Sequence, residues 1–318
     1  MGSGRWSTDV WTAADNYRRA SGKSAFAYSD SGARKAHPAL DPKGVTKRES
    51  RDSDEHPFST PIAVLFDVTG SMGGVPRVLQ TKLPQLLGLL TRKDYVTDPH
   101  ILFGAVGDAT CDRVPLQIGQ FESDNRMDED LARIVLEGGG GGQMTESYEL
   151  AMYFMARHTA LDSFSKRGKR GYLFLIGDEM PYAKVHPREV EKFIGERTEP
   201  ISTEELVVEL QRTFDVYYLL PTAAGHGGNR DVLQRWRGLL GQNVLELDDL
   251  DAVCETIALT VGLGEGTIDL DAGLDDLVDA GSSHRGTVSK ALAPLQRNGV
   301  VRRGTLSVGT AKSGNERL

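Results

Sequence analysis

Ile62-Ala63-Val64-Leu65-Phe66-Asp67-Val68-Thr69-Gly70-Ser71-Met72 decides the fold. Its first five residues form an unbroken apolar run, the pattern of a strand buried on both faces of a parallel sheet. The run ends on an acid, two hydroxyls at alternate positions and a glycine that tightens the turn. A strand therefore delivers Asp67, Thr69 and Ser71 into one small loop. Oxygen ligands at i, i+2 and i+4 on a turning backbone suit a hard divalent cation. The alternative for such residues is helix capping, where Asp, Thr and Ser accept from backbone N–H groups.

Outward from this stretch, strand and helix patterns alternate over residues 58–264. Val75–Leu90 places Leu79, Leu83, Leu86, Leu87 and Leu90 at helical spacing. Ile101–Val106 and Pro115–Phe121 read as strands too close together for a helical crossover, and so as a hairpin. Asp128–Leu136 reads as a short helix, Glu146–His158 as a helix with a buried stripe, and Tyr172–Gly177 as the next strand. Pro187–Ile194 and Glu204–Phe214 read as helices, Val216–Leu220 as a strand, Asp231–Leu240 as a helix and Val244–Leu247 as a last strand. Leu250–Val261 closes the domain as a helix. The expected fold is α/β: a doubly wound, mainly parallel sheet with helices on both faces and one antiparallel edge strand.

In such a sheet the loops at the carboxyl ends of the strands converge on one edge. Two further loops belong there. Gly138-Gly139-Gly140-Gly141-Gly142-Gln143-Met144-Thr145-Glu146-Ser147 opens a helix, and Ile176-Gly177-Asp178-Glu179-Met180-Pro181 ends an apolar strand. Three oxygen-bearing loops on one edge point to a metal site far more sharply than the first loop alone.

The Asp67-Val68-Thr69-Gly70-Ser71 pattern resembles the metal-ion-dependent adhesion site (MIDAS) of von Willebrand factor A (VWA) domains, and loop order and spacing extend the resemblance over residues 58–264. The second loop is similar to the glycine-rich form of integrin β subunits and several intracellular members, in which the run ends in a metal-binding Glu. Glu146 falls at that position. Gln143 and Thr145 depart from the Asp and Pro common there, so Thr145 stands as the alternative ligand to Glu146. The third loop is similar to the family's strand-G-D-x-P ending, with Asp178 as the ligand. The resemblance implies a bound Mg²⁺, or Mn²⁺, held by Asp67, Thr69, Ser71, Glu146 and Asp178. Thr69, Ser71 and Glu146 would touch it directly, and the two aspartates mainly through water. It also implies an open coordination position that takes a carboxylate from a partner protein.

Other signals carry less. Ser21-Gly22-Lys23-Ser24 is similar to the end of a phosphate-binding P-loop, but position 17 is Tyr17 where a Gly is needed, and no strand precedes it. The Asp67 loop is also similar to the nucleophile loop of haloacid-dehalogenase-like phosphatases, but their second Asp is replaced by Thr69. Glu179 reads as a solvated loop acid and His226 as an exposed loop histidine. No catalytic residues are assigned.

Residues 1–57 read as a polar arm or linker with a short helix near Thr12–Ala20. Its aromatics Trp6, Trp11, Tyr17, Phe26 and Tyr28 are available to pin it to the domain or to a partner. Residues 265–318 read as an acidic, flexible segment in which His284–Leu295 could form an amphipathic helix. The formal net charge of −8 argues against nucleic-acid binding through phosphate contacts. Two cysteines make neither a disulfide framework nor a zinc knuckle. No stretch has the length and apolarity of a membrane helix, and a cytoplasmic location is the simplest expectation. The expected function is a non-enzymatic, Mg²⁺-dependent protein-interaction module, an adaptor of intracellular, bacterial type working with a separate AAA+ ATPase or another multiprotein assembly. The alternatives are a metal-dependent phosphoester hydrolase using the same site, and a structural subunit of a particle or phage-like assembly.

Overall fold

The computed structural model describes residues 4–72, 74–138 and 144–296, with the backbone alone for Ser71 and Arg92. The sheet has six strands: β1 (Thr60–Asp67), β2 (Pro99–Val106), β3 (Leu116–Ile118), β4 (Gly171–Ile176), β5 (Phe214–Pro221) and β6 (Val244–Leu247). Their spatial order is β6-β5-β4-β1-β2-β3. All neighbours are parallel except β2 and β3, which pair antiparallel with Ala105 opposite Gln117. The expected doubly wound sheet with one antiparallel edge strand is therefore the fold.

Every residue of β1 is buried, because the strand is central and covered on both sides. Ile62, Val64 and Phe66 enter one apolar cluster, and Ala63 and Leu65 the other. This is the period-2 alternation of a strand, with both faces apolar. Nine helices concern the argument. In chain order the first four are α1 (Thr8–Ala20), α2 (Val75–Leu87), α3 (Arg126–Arg133) and α4 (Tyr148–Arg157). The others are α5 (Thr203–Leu210), α6 (Arg230–Leu240), α7 (Val253–Glu265), α8 (Leu270–Asp279) and α9 (Arg285–Gln296). The cluster of Ile62, Val64 and Phe66 holds α2, α3, α7, α8 and α9, and the opposite cluster holds α4, α5 and α6. The helix expected over Val75–Leu90 is α-helical only to Leu87, and a π-helical turn spans Gly88–Arg92. Helix α5 starts sharply because Ser202 and Glu205 form a reciprocal capping box.

The C-terminal part of the chain departs from expectation. The segment expected to be a flexible tail from residue 265 instead adds α8 and α9 to the core. Leu270, Leu274, Leu277, Val288, Ala291, Leu292 and Leu295 are buried in the same cluster as α7. Their spacing of three and four gives each acidic or polar helix one apolar stripe, which the overall acidity masks in the sequence. Residues 297–318 lie outside the described residues.

The arm is folded onto the domain. Phe26 and Leu40 are buried, and Trp6 packs against the α2 side of the core. Arg48–Ser50 pairs in parallel with Thr159–Leu161, a short ladder that no local sequence pattern announced. At the sheet edge, the Ile118 N–H donates to the Leu40 carbonyl at 2.8 Å, and the Ile118 carbonyl accepts from Arg48 Nη2 at 2.8 Å. The arm thus meets the outward backbone groups of Ile118 in β3.

Because α8 shares the main core, Leu277→Ala should destabilise the whole domain by about 2–5 kcal/mol in chemical denaturation, as a single transition. A loss below about 0.5 kcal/mol, the level of a surface substitution, would show that α8 is not part of that core.

Candidate functional site

The chain reverses direction across the sheet at β1. It continues to β2 on one side and later returns to β4 on the other, so the carboxyl ends of β1 and β4 flank a topological switch point. Asp67 is the last residue of β1 and is fully buried. Its Oδ1 accepts the Thr69 N–H and the Thr69 hydroxyl, both at 2.7 Å. Its Oδ2 lies 3.5 Å from the Tyr148 hydroxyl. The capping alternative therefore holds for the geometry of the turn: Asp67 orders its own loop and fixes the Thr69 hydroxyl beside it. The side chain of Ser71 and all of Gly139–Gln143 lie outside the described residues.

The second and third loops are joined by backbone. Thr145–Glu146 and Met180–Pro181 form a parallel two-residue ladder, with Thr145 opposite Met180 and Glu146 opposite Pro181. Alternation along this ladder sends the two candidate side chains different ways. Glu146 is buried, with Asp67, Glu179, Asp112 and Asp108 as its charged neighbours, whereas Thr145 hydrogen-bonds the Tyr182 hydroxyl. Asp178 is fully buried just past β4, and its Oδ2 accepts the His226 N–H at 2.7 Å. The structure thus brings Asp67, Thr69, Glu146 and Asp178 to one edge.

An aromatic floor lies beneath them. Tyr218 and Trp236 stack at 3.9 Å, and Tyr148 meets both rings edge-on at 5.9 and 5.3 Å. The Tyr218 hydroxyl and Trp236 Nε1–H both donate to the Glu179 carbonyl, at 3.1 and 2.8 Å. These bonds pin the third loop from below. Glycine is required at 177, because an added Cβ there would lie 1.7 Å from the Tyr148 hydroxyl oxygen.

Sequence reasoning missed a fourth loop. After β2, Asp108-Ala109-Thr110 repeats the Asp67-Val68-Thr69 turn. Asp108 Oδ1 accepts the Thr110 N–H at 2.8 Å and the Thr110 hydroxyl at 2.7 Å. The loop is tied to the second by the Ala109 N–H, which donates to Ser147 Oγ at 2.9 Å, and by the Ser147 N–H, which donates to the Gly107 carbonyl. Tyr182 closes the ring, its hydroxyl 3.1 Å from Asp108 Oδ2. The repeated D-x-T after two adjacent apolar strands was the legible signal. Glu179 differs from expectation, being buried rather than solvated; its Oε1 lies 3.8 Å from Nε2 of His226, which is the loop histidine expected, with its side chain 37% exposed.

The result is a buried concentration of acidic side chains, each of which makes the ionisation of the others harder. Burial first, then the neighbouring acids, pushes Asp67 up to about 7, Glu179 to about 8 and Glu146 to about 10. Glu146 Oε2 and Glu179 Oε2 are buried without a hydrogen-bond partner. Among the described residues, no three His, Cys, Asp or Glu side chains are grouped so as to hold a metal ion. Hydroxyls and water would have to complete any shell. The two partnerless carboxylate oxygens are nevertheless what an oxygen-seeking divalent cation requires, and the residues present fit such an ion.

Each of these carboxyls holds its proton more tightly folded than unfolded. The stability this gives is complete below the ordinary carboxylate pKa and is lost as pH rises through the folded value. In chelator, Tm should therefore fall as pH is raised from about 5 towards 9. A flat or rising Tm over that range would contradict the buried-acid arrangement. Separately, Gly177→Ala should displace Tyr148 and cost about 1–3 kcal/mol in denaturant unfolding, the range for overpacking.

No family model matches the chain, and no curated protein matches it. Among solved structures it is similar to the open conformation of the pilus adhesin SpaC from Lactobacillus rhamnosus GG. That match has a TM-score of 0.44 and 9% identity, over 64% of this chain and 30% of that one. It is also similar to proximal thread matrix protein 1 from the mussel byssus, with a TM-score of 0.41 and 11% identity, over 64% of this chain and 47% of that one. The chain therefore spans less than half the length of either. No described helix is long and apolar enough to cross a membrane.

Proposed function

We propose that the chain is a VWA-type module with a MIDAS, binding Mg²⁺, or Mn²⁺, and through it an acidic side chain of a partner protein. One observation supports the reading: Asp67, at the switch point, has Asp178 and Glu146 as charged neighbours, and Glu146 Oε2 is buried and partnerless. Thr69 and Glu146 would hold the ion directly, together with Ser71, and Asp67 and Asp178 would orient hydroxyls and waters around it. Glu146 is preferred to Thr145 because it faces the other acids. A bound divalent ion would supply the positive charge that lets these crowded acids give up their protons and ionise. With hydroxyls among its ligands, it would retain affinity for one more carboxylate. The protein would then act as an adaptor, with a AAA+ ATPase or another multiprotein assembly as the partner class to test first.

A hydrolytic reading has one observation in its favour. Glu179 is buried beside the site, is pushed up to about 8 and has His226 Nε2 at 3.8 Å, as a general base would need. It predicts turnover of a phosphomonoester that requires both metal and Glu179.

The deciding experiment is calorimetric titration of Mg²⁺ and Mn²⁺ into metal-stripped protein, beside Asp67→Ala. Saturable binding near one equivalent, lost in the variant, is expected. Recovery of a partner from lysate should then depend on metal and be abolished by chelator. Equal binding by Asp67→Ala would remove the site assignment. Metal-dependent turnover of p-nitrophenyl phosphate, lost in Glu179→Gln, would replace the adaptor with the hydrolase.

A further inference from the structure

The turn Ser21-Gly22-Lys23-Ser24 is no P-loop. It follows helix α1 rather than a strand, and the Gly22 and Lys23 N–H groups are taken by the Arg19 and Arg18 carbonyls. What the turn does is return Lys23 towards α1, where Arg18 and Arg19 lie. A cavity of about 270 Å³ opens there, between α1, this turn and the first turns of α2. Asp15, Arg18, Arg19, Lys23 and Arg77 line it.

The charges do not balance internally. Arg18 is paired with Asp128, Nη1 to Oδ2 at 3.0 Å, and lies 3.5 Å from Asp15. Arg19 is paired with Asp15 at 2.7 Å. Two arginines thus meet two aspartates. Lys23 and Arg77 have no ion-pair partner among the described residues, and each rests instead against an aromatic face, Lys23 on Tyr17 and Arg77 on Phe26. In addition, Arg18 Nε is buried and donates no hydrogen bond, and the buried Nη2 has only the long 3.5 Å approach to Asp15 Oδ1. A buried guanidinium leaves donors unused at a cost unless something accepts from them. This occurs in a chain whose net charge is −8, so general surface composition does not account for it.

We propose that this cavity is a binding site for a phosphate-bearing small anion. Two uncompensated cations match the charge of about −1.5 to −2 that a phosphate monoester carries at neutral pH. Donors from three directions suit a tetrahedral group, and guanidinium forks are matched to its oxygens. The cavity is smaller than the roughly 300–1,000 Å³ of drug-sized ligand sites, so the phosphoryl group is held and the rest of the ligand projects outward. Arg77 stands on the first turn of α2, the helix that leaves the Asp67 loop. Anion binding therefore reaches the element that carries that loop, while using none of the residues assigned to the metal.

The test is calorimetric titration of inorganic phosphate and of glycerol 3-phosphate into full-length protein, in chelator and at constant ionic strength. Wild type and Asp67→Ala should bind alike and saturably. Lys23→Ala/Arg77→Ala should bind at least about 10-fold more weakly while keeping the wild-type circular dichroism, since both side chains are exposed. Binding of phosphate and not the ester would restrict the site to the free anion, and binding of both would extend it to esters. Non-saturable heats, or equal affinity in the double variant, would overturn the proposal. So would binding of an oligoglutamate peptide with none of either phosphate, which would make the site a peptide contact.

Discussion

A central strand buried on both faces can present a polar side chain only where it ends. That constraint organises this protein. β1 is apolar through Phe66, and the first position at which burial no longer demands an apolar group is Asp67. A carboxylate there cannot be left to solvent, because it is fully buried. It is stabilised instead by its own backbone, through the Thr69 N–H and hydroxyl. The same solution recurs at Asp108 beside β2, and both turns face the ladder between Thr145–Glu146 and Met180–Pro181. The acidic edge is thus a consequence of how parallel strands terminate when each end carries an acid.

The rigidity of that edge comes from below. Polar aromatic side chains in the core must place their N–H and O–H groups on acceptors. Tyr218 and Trp236 both use the Glu179 carbonyl, so the core's own hydrogen-bonding requirement holds the third loop in place. Glu149 does similar work from α4. It is fully buried, burial holds it well above the ordinary carboxylate range, and its Oε2 accepts the Tyr182 N–H at 3.1 Å. Loops two and three are therefore tied to each other and to the aromatic floor.

Much of this was legible in the sequence, for identifiable reasons. Continuous apolar runs marked β1, β2, β4 and β5, and an acid after each of the first and third runs marked the edge. Boundaries shifted by a few residues, as between Glu146–His158 and the helix at Tyr148–Arg157, because Thr145–Glu146 is drawn into a strand pairing that only the fold creates. Asp108 was passed over because the hairpin after β2 hid a D-x-T turn in what read as a connection. Helix α9 matches the amphipathic helix expected over His284–Leu295, whereas α8 was underestimated because Asp271, Asp275, Asp276 and Asp279 lower the mean hydropathy of a segment whose leucines still form one stripe. The arm's helix and its aromatic anchors were legible, but its route across the domain was not, for a different reason. Its attachment rests on scattered long-range bonds, such as His56 Nε2 with the Gly4 carbonyl at 3.0 Å and Arg51 Nη1 with Asp162 at 2.8 Å, and these leave no periodic trace.

The arm's crossing of β3 also bears on how the molecule behaves among copies of itself. The outer margin of a sheet is a template on which another extended segment can be laid, and a protein with a free margin invites growth into ribbons. Here Ile118 has already given its N–H to Leu40 and its carbonyl to Arg48. The segment around Leu40 and Arg48 thus acts as a built-in stopper at Ile118, covering that margin with the chain's own arm. A piece that reads as decoration before the domain begins is what keeps that flank of the domain from being extended.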